Sequence, residues 1–462
     1  TPAVVTPPPA AATTPATTTP DAEVAPAAES PRQQASLADL LLDEGKPPTP
    51  EPVPMATPLD DSRLAALGLR KLTGKHLVLI TDLPSDPEID ALPEVFDAAV
   101  PLWRGYFQLP PSATDEWQLT GYLMQRPEPF REAGYLPDSL PPFLHGYQSG
   151  DQLWVREQPS GYYRRHLLLH EGVHGIMRHA LGGTGPPWYR EGMAEMLATH
   201  RWKEGKLTVG IMPRTKQEVP SWGRIKLIRD EFAADRALML KNVSLLADSD
   251  FLEPEAYAWS WGACAFLDGH PRFRDRFRAM QNQVQQSPLR FNQLLGAAMA
   301  DDAREMDEQW QLFVINADYG YDFARNAVRY AEGEPFPIQG VTVDLETNRG
   351  WQSTGYRLLS GKSYVITAKG RYQIHEDGDS WMCEPNGITL RYYAGRPLGM
   401  LMGTIRLDDP GLGVARLGRP ISIGLRRRIE PVESGTLYLK VNDHPAELED
   451  NLGTLTVRIE EE

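Results

Sequence analysis

One ten-residue run constrains this chain more than any other: Arg165 to His174, which contains the pattern His-Glu-x-x-His. On a helix, residues four apart lie one above the other on the same face, so His170 and His174 can bind one metal ion together. Glu171 directly follows the first histidine, where its carboxylate can act as general base toward a water that the metal activates. The run therefore predicts a helix that carries a catalytic metal.

A catalytic zinc site needs three protein ligands, with the fourth tetrahedral position left open. Further along the chain, the segment from Pro187 to Glu195 has the periodicity of a second helix and carries two acidic residues, Glu191 and Glu195, one turn apart. Either carboxylate can complete a site begun by the two histidines. Apolar residues around the histidines indicate that the first helix is buried, and Gly182-Gly183 indicates where it ends.

The His-Glu-x-x-His run, followed by a Trp-Tyr-Arg-Glu-Gly-Met-Ala-Glu segment, resembles the gluzincin metallopeptidases, the thermolysin-like superfamily. In that superfamily the third zinc ligand is a glutamate on the next helix. The resemblance also implies an α+β peptidase domain with a lobe built on a mixed sheet and a helical lobe. The roles that it implies are zinc ligand for His170, His174 and Glu191, general base for Glu171, and partner of a histidine ligand for Glu195.

The spacing of these residues separates the candidate peptidase families. Sixteen residues lie between His174 and Glu191, slightly fewer than in the aminopeptidase branch of the gluzincins. The metzincin pattern fits less well, because it needs a glycine and a third histidine where this chain has Met177 and Ala180. The chain also has no Gly-x-Met-Glu-Asn segment before the zinc motif, which favours an endopeptidase over an aminopeptidase.

Tyr257 lies in a stretch with helical periodicity, 253–268. A zinc peptidase must stabilise the oxyanion that forms when water attacks the scissile carbonyl, and a phenol can do so by donating a hydrogen bond. In gluzincins a tyrosine or histidine of the helical part has this role at a similar distance beyond the glutamate ligand. The resemblance implies that Tyr257 is this catalytic residue, and the alternative is an aromatic side chain packed in the core.

Acidic residues outnumber basic ones, with 62 Asp and Glu against 47 Lys and Arg, which gives a net charge of -15. This balance argues against a nucleic-acid partner. Cys264 and Cys383 lie far apart in the sequence, so no disulfide framework is expected to hold the fold. No apolar run reaches the length needed to span a bilayer, so no transmembrane segment is predicted.

Residues 1–59 are dominated by Pro, Ala and Thr. So little apolar surface cannot offset the entropy lost on ordering, and Pro-rich chain stays extended, so a disordered linker or stalk is predicted. The start at Thr1 suits either a mature chain without its signal peptide or an internal boundary of a longer chain. Because such stalks are typical of exported enzymes, we expect a secreted or cell-envelope protein of bacterial type.

The remaining chain is predicted to form two domains, a peptidase domain over 60–333 and an all-β domain over 340–462. The strand 152–156 directly precedes the metal-binding helix. In gluzincins such a strand borders the cleft and pairs with the extended substrate, and the alternative is a sheet edge without a substrate role. The other elements predicted for the peptidase domain are strands at 76–81 and 118–124 and helices at 89–105, 223–240, 253–268, 271–284 and 301–315.

The C-terminal part contains seven short strand-like segments separated by turn residues. This pattern is typical of an all-β sandwich or jelly roll. The segment resembles the PA-I galactophilic lectin and its galactose-binding-like relatives. The resemblance rests on 351–355, 366–370, 397–399 and the stretch from Leu439 through Asp443 to Gly453. In that lectin the final loop binds calcium, and the calcium binds sugar hydroxyls.

The lectin resemblance implies calcium ligands in the final loop, whose oxygen-bearing side chains are of the kind that calcium selects. The matching residues are Asp443, Asp450 and Asn451, and Glu447 is a further candidate ligand in the same loop. Glu447 stands where the lectin has a threonine. The alternative is an acidic surface turn between two strands, in a domain that is structural or docks the substrate, since fold alone does not give function.

These features predict a zinc-dependent peptidase that hydrolyses peptide bonds in extracellular or envelope proteins. Its partners are a protein or peptide substrate and, through the C-terminal domain, carbohydrate. One alternative is a glycan- or surface-binding protein with an inactive peptidase-like scaffold, and another is an aminopeptidase. The presence of Glu171 argues against the inactive scaffold, which has no reason to keep a base beside intact metal ligands.

Overall fold

The computed structural model describes residues 57–408 and 415–462. The linker or stalk predicted for 1–59 lies outside these residues except at its last three positions. In the described part of the chain, no helix is both long enough and apolar enough to cross a membrane. The fold mixes helices with several β-sheets, and their buried side chains gather into separate hydrophobic cores.

A five-stranded sheet forms the first part of the fold. Its order is β1-β2-β3-β5-β4, in which β2, β3 and β5 run parallel and the two edge strands run antiparallel to their neighbours. The sheet is therefore mixed, as the sequence predicted for this part. Its strands are β1 (Arg70–Thr73), β2 (Leu77–Thr81), β3 (Leu119–Met124), β4 (Gly146–Ser149) and β5 (Gln152–Arg156).

Both faces of this sheet are covered. Successive residues of a strand point to opposite faces. In β2, Leu77 and Leu79 join the core that contains the helix carrying His170, whereas Val78 and Ile80 join a smaller core on the other face. This double burial explains why β2 is an uninterrupted apolar run rather than an alternating one.

The position of β5 corrects one expectation. It pairs with β3 on one side and β4 on the other, so it is an interior strand and cannot pair with a substrate. The edge strand beside β5 is β4, which the sequence pattern did not predict. β4 is only four residues long and contains Gly146, Gln148 and Ser149, which are weak strand formers.

Helices make up most of the chain between β5 and the C-terminal part. The observed helices confirm the predictions at 253–268 and 301–315, whereas the one predicted at 223–240 ends at residue 233. The helices are α1 (Asp61–Ala66), α2 (Pro87–Asp90), α3 (Leu92–Tyr106), α4 (Glu128–Ala133), α5 (Gly161–Ile176), α6 (Pro187–Ala198), α7 (Arg224–Ala233), α8 (Leu240–Val243), α9 (Pro254–Gly269), α10 (Arg274–Ala279), α11 (Pro288–Ala298), α12 (Ala303–Ile315) and α13 (Phe323–Asn326). A hairpin of β6 (His200–Lys203) and β7 (Lys206–Val209) follows α6.

The sequence around α5 fixes its start, its end and its packing. The Ser160 hydroxyl caps the helix by accepting a hydrogen bond from the backbone N–H of Tyr163 at 3.1 Å. A π-helical turn follows the helix, and Gly182 then ends it in the left-handed conformation, with φ at 72°. Because Gly172 has no side chain, α5 lies directly against aromatic rings of α3. α5 thus packs against both α3 and the sheet.

The C-terminal strands form two sheets around a common core. One sheet has the order β17-β16-β19-β10-β8 and the other β18-β11-β20-β9, and buried residues of both sheets share one cluster. This is the sandwich arrangement that the turn spacing predicted. Its strands are β8 (Glu334–Pro335), β9 (Val341–Glu346), β10 (Gln352–Leu358), β11 (Tyr364–Lys369), β12 (Tyr372–Asp377), β13 (Asp379–Cys383), β14 (Ile388–Tyr393), β15 (Arg396–Leu398), β16 (Leu401–Leu407), β17 (Ile421–Ser422), β18 (Arg426–Ile429), β19 (Gly435–Val441) and β20 (Thr454–Glu461).

The loop between β19 and β20 contacts the helical part of the chain. The carbonyl of Pro445 accepts hydrogen bonds from the backbone N–H of Asp322 at 3.2 Å and from Nδ2 of Asn326 at 2.7 Å. On another side of the sandwich, Nε of Arg406 donates to Oε2 of Glu308 at 2.8 Å. These contacts pack the sandwich on the helices, and the division into domains at 333 and 340 stays a prediction.

Candidate metal centre

Two helices carry the candidate metal ligands, with His170 and His174 on α5 and Glu191 on α6. Nε2 of His170 lies 3.1 Å from Nε2 of His174 and 3.2 Å from Oε2 of Glu191. Nε2 of His174 lies 3.4 Å from the same oxygen of Glu191. All three side chains are buried. Their ligand atoms thus form a nearly equilateral triangle inside the protein.

This triangle has the dimensions of three corners of a zinc tetrahedron. Bonds of about 2.0–2.2 Å to nitrogen and oxygen place neighbouring tetrahedral ligands about 3.3–3.6 Å apart. The observed separations of 3.1, 3.2 and 3.4 Å lie close to that range. Two imidazole nitrogens and one carboxylate oxygen are also donors that zinc accepts. The chain therefore holds a His/His/Glu cluster that fits a metal ion.

A second group of potential ligands overlaps the first, since His166, His170 and Glu195 also lie together. In this group the carboxylate is already engaged. Arg224 donates to both oxygens of Glu195, from Nε and from a terminal nitrogen, each at 2.9 Å. A guanidinium bound in this way would repel a cation at the same oxygens. The second group is therefore a support for the first rather than a separate metal site.

Glu195 lies behind His170, on the side of the ring away from the triangle. Its Oε1 is 3.3 Å from Nδ1 of His170, and its Oε2 is 3.2 Å from Nε2 of His166. Burial alone would raise the pKa of Glu195, but Arg224 and His166 hold it well below its usual range. An ionised carboxylate behind a ligating imidazole fixes the orientation of the ring and increases its basicity. The structure thus places Glu195 beside His170, and its role as partner of a histidine ligand stays a prediction.

The charges around the triangle favour a bound cation. Burial would lower the pKa of His170, but its hydrogen bonds to Glu191 and Glu195 raise it to about 10. Burial lowers the pKa of His174 to about 4. Burial opposes ionisation of Glu191, yet His174 and Arg190 hold its pKa well below the usual range. Nε of Arg190 donates to Oε1 of Glu191 at 2.7 Å, which leaves Oε2 facing the histidines.

Glu171, the predicted general base, is buried beside the triangle. Burial is the largest cause that raises its pKa, to about 8, and the charge of Glu191 acts in the same direction. The charge of His170 opposes this shift. A carboxylate with a raised pKa is a stronger proton acceptor once ionised. The structure therefore places the carboxyl group of Glu171 close enough to His170 and Glu191 for their charges to act on it.

Tyr257, on α9, lies at the border of the same site. Its ring centroid is 6.2 Å from that of His170, and the guanidinium carbon of Arg224 is 5.6 Å from the tyrosine centroid. Burial and the nearby charge of Glu191 raise the pKa of Tyr257, so its phenol stays protonated and can donate a hydrogen bond. The structure thus brings Tyr257 to the cluster, as the resemblance implied.

Sequence reasoning missed two arginines of this site, Arg190 and Arg224. Arg190 stands immediately before Glu191 in the second motif, and its adjacency to a predicted ligand could have identified it. Arg224 is the first residue of α7, and no local pattern links that position to Glu195. The tertiary packing of α7 against α9 and α12 brings Arg224 to Glu195.

Of the four residues predicted to bind calcium, Asp443 and Asn451 are in contact, whereas Asp450 and Glu447 pair with side chains of other elements. Asn451 donates to Oδ2 of Asp443 at 2.8 Å, His375 pairs with Oδ2 of Asp450 at 2.9 Å, and Arg391 donates to Glu447 at 2.7 Å. Among the described residues, the only clusters of metal-binding side chains are the two near α5. Burial raises the pKa of Asp443 to about 7. Oδ1 of Asp450 and Oδ1 of Asn451 are buried without a hydrogen-bond partner in the described structure.

Comparisons with known proteins give only weak similarities. No family model and no curated protein matches the sequence. The N-terminal domain of EclA, a PllA-like lectin, matches at 20% identity over 26% of this chain and 95% of that domain, with a TM-score of 0.21. An aminopeptidase N family protein from Idiomarina loihiensis matches at 11% identity over 84% of this chain and 68% of the other, with a TM-score of 0.33.

A third similarity is to IMPa, a metallopeptidase from Pseudomonas aeruginosa whose structure was solved in complex with an O-glycopeptide. The identity is 11%, the match covers 83% of this chain and 37% of IMPa, and the TM-score is 0.16. The chain thus has weak structural similarity to metallopeptidases and to a lectin domain. At these TM-scores, function has to be inferred from the site's own geometry.

Proposed function

We propose that this chain is a zinc-dependent peptidase of gluzincin type, with His170, His174 and Glu191 as the zinc ligands. The observation that carries the proposal is the buried triangle of their ligand atoms, with sides of 3.1, 3.2 and 3.4 Å. Glu195 and Arg224 support it, because they hold one ligand in place from behind. A bound zinc ion supplies a Lewis acid that activates water and polarises the scissile carbonyl.

The surrounding residues carry out the proton transfers. Glu171 accepts a proton from the attacking water and delivers it to the nitrogen of the leaving amine. Tyr257 donates its phenolic proton in a hydrogen bond to the oxygen of the scissile carbonyl as negative charge develops there. Arg224 lies over the tyrosine ring, and this cation holds the ring beside the site.

The substrate backbone binds along β4 in this proposal. This strand is at the edge of the five-stranded sheet, and its first residue, Gly146, lies against the carboxylate of Glu171. An exposed edge can add an extended peptide as a further strand through main-chain hydrogen bonds. Such binding recognises the backbone of the substrate rather than its side chains. This favours an endopeptidase that acts on extracellular or envelope proteins.

Three further proposals remain from the sequence. The sheet with its flanking helices and the helical part correspond to the two lobes of a thermolysin-like domain. The chain is secreted or belongs to the cell envelope.

Calcium binds the loop 443–451, where the buried unpartnered oxygens of Asp450 and Asn451 support a cation site beside Asp443. A sandwich that binds carbohydrate could then direct the peptidase to glycosylated substrates.

Cleavage of a mixed peptide library, read by mass spectrometry, tests the peptidase proposal. The zinc-loaded chain should cut peptides internally, and Glu171→Gln should lower the rate by on the order of 10²–10⁴-fold while binding zinc equally well. Cleavage at amino termini alone would favour the aminopeptidase. If neither protein cuts any peptide although both hold zinc, the binding-protein alternative replaces the peptidase.

A further inference from the structure

The carboxylate of Glu171 lies against the backbone of the edge strand β4. A Cβ built on Gly146 would come 3.1 Å from Cδ and 3.2 Å from Cγ of Glu171, and would overlap Oε1. Both distances to carbon are shorter than ordinary van der Waals contact between carbon atoms. There is therefore no space for a side chain at this position while the carboxylate stays in place.

The backbone conformation of Gly146 does not itself require glycine. Gly146 is not among the glycines with positive φ, and it pairs with Val155 as an ordinary residue of an antiparallel ladder. An L-amino acid could adopt this conformation without backbone strain. The need for glycine at 146 thus comes from the side chain of Glu171 rather than from the turn or the strand.

Glu171 is buried, so the atoms around its carboxylate limit where that group can lie. The charges of His170 and Glu191 shift its pKa, but a charge acts over a distance and does not set a contact. Gly146 is in direct contact, because the three atoms nearest to a Cβ built on it all belong to the side chain of Glu171. The backbone of β4 is therefore one of the surfaces that position this carboxylate.

We propose that Gly146 is a positioning residue that sets the place of the general base relative to the substrate-binding edge of the sheet. This inference rests on the proposed peptidase function. The same backbone that would pair with the substrate also limits how far the carboxylate of Glu171 can extend toward β4. One contact thus fixes the distance between the base and the strand along which the scissile bond would lie.

Gly146→Ala is the direct test, because it adds one methyl group against Oε1 of Glu171. We expect kcat to fall about 100-fold, as a misplacement of about 1 Å can cause, with a much smaller change in KM. Zinc content should be unchanged, because no ligand touches residue 146. The matched control is Gly296→Ala, which adds the same methyl group on an exposed face of α11 with no atom within 4 Å and should leave kcat unchanged.

A double-substitution cycle with Glu171→Asp separates positioning from general damage to the strand. Aspartate is one methylene shorter, so its carboxylate would not reach the added methyl group. We expect Gly146→Ala to lower kcat strongly when Glu171 is present and by less than about threefold when Glu171→Asp is already present. Equal losses in both backgrounds would show that the alanine damages the strand, which would overturn the inference.

Crystal structures of the zinc-loaded wild type and Gly146→Ala give a readout that does not depend on turnover. The carboxylate of Glu171 should move away from β4 by about 1 Å while the three ligands stay in place. If the wild type cuts peptides and Gly146→Ala changes neither kcat nor the carboxylate position, the inference is wrong and the peptidase proposal stands. If the wild type cuts nothing, the peptidase proposal fails and Gly146 loses its role in positioning a base.

Discussion

The candidate metal cluster on α5 and α6 and the acidic loop 443–451 both contain side chains that can bind metal ions, but in opposite arrangements. In the cluster, the ligand atoms of His170, His174 and Glu191 converge within 3.4 Å of one another. In the loop, Asp443, Asp450 and Glu447 turn to separate partners. A set of suitable side chains therefore becomes a metal site only where the backbone aims them at one point.

The two regions also differ in how arginine side chains bind their carboxylates. Behind the cluster, Arg224 neutralises Glu195, so Glu195 can support His170 without binding a cation itself. In the loop, Arg391 pairs with both oxygens of Glu447, each at 2.7 Å, and would compete with a cation for them. In the cluster, Arg190 donates only to Oε1 of Glu191, so Oε2 stays free to face the histidines. An arginine next to a candidate ligand is therefore compatible with a bound metal only where it leaves one carboxylate oxygen free.

The two regions should differ most in zinc affinity and peptidase activity when Glu191→Gln is compared with Asp443→Asn. Removing the carboxylate of Glu191 leaves two imidazoles, so zinc affinity should fall by more than the roughly 100-fold typical of an outer-shell residue, and peptidase activity should be lost. Asp443→Asn should leave zinc content and activity within about twofold of the wild type. Zinc content by atomic emission and peptide cleavage measure both.

Chelation is the control for this comparison. Removal of metal from the wild type should abolish cleavage, and added Zn²⁺ should restore it. Added Ca²⁺ should not restore it, because the cluster supplies nitrogen donors that calcium does not select. Loss of zinc from Asp443→Asn to the same extent as from Glu191→Gln would contradict the assignment of the ligands.

Arg224→Met should produce the next largest effect. It leaves the carboxylate of Glu195 buried without its cation, which should lower the free energy of unfolding by about 3–5 kcal/mol. It should also lower zinc affinity about 10- to 100-fold, because His170 loses a fixed partner. Chemical denaturation and competition with a zinc chelator measure the two effects.

Arg229→Met is the matched control for Arg224→Met, since both arginines lie on α7. Arg229 pairs with Asp318 at 2.9 Å, but its side chain is 55% exposed. Exposed ion pairs contribute about 0–1 kcal/mol, and Arg229 has no contact with Glu195, so zinc affinity should not change. If the two variants behaved alike, Arg224 would be an ordinary ion-pair partner and not a support of the metal site.

The parts of this site that the sequence predicts are those fixed by helical periodicity. The histidines and Glu171 are set by their spacing on α5, and Glu191 and Glu195 by theirs on α6, so a local pattern contains their geometry. For the same reason, apolar spacing predicted the helices at 253–268 and 301–315, and the spacing of turn residues predicted the sandwich.

The parts that the sequence did not predict depend on which elements become neighbours. Arg224 contacts Glu195 because α7 packs against α9 and lies near α6. The sequence of 224–233 contains no motif that predicts this packing. β4 was missed because it has only four residues and begins with a glycine, and β5 was therefore given the edge position. The loop 443–451 contains the predicted oxygen donors, but a loop has no periodicity that would fix their directions.

Calcium binding to the loop 443–451 should give the smallest effect. The unpartnered Oδ1 atoms of Asp450 and Asn451 and the buried carboxyl of Asp443 are available to a cation, whereas Glu447 is bound to Arg391. If the loop binds calcium with a Kd near 1 mM, 5 mM Ca²⁺ should add about 1 kcal/mol to the stability of the sandwich. This should raise its Tm by about 2–8 °C.

Calorimetric scans of the wild type and Asp443→Asn, with and without Ca²⁺, measure this shift. Asp443→Asn should remove the shift in Tm, and neither Ca²⁺ nor the substitution should change zinc content or peptide cleavage. A wild-type Tm that does not respond to Ca²⁺ would leave the loop as a set of hydrogen-bonded acidic side chains that docks the sandwich on the helices through Pro445. Asp443 would then be a structural residue, held by Asn451 and by the backbone N–H of His444.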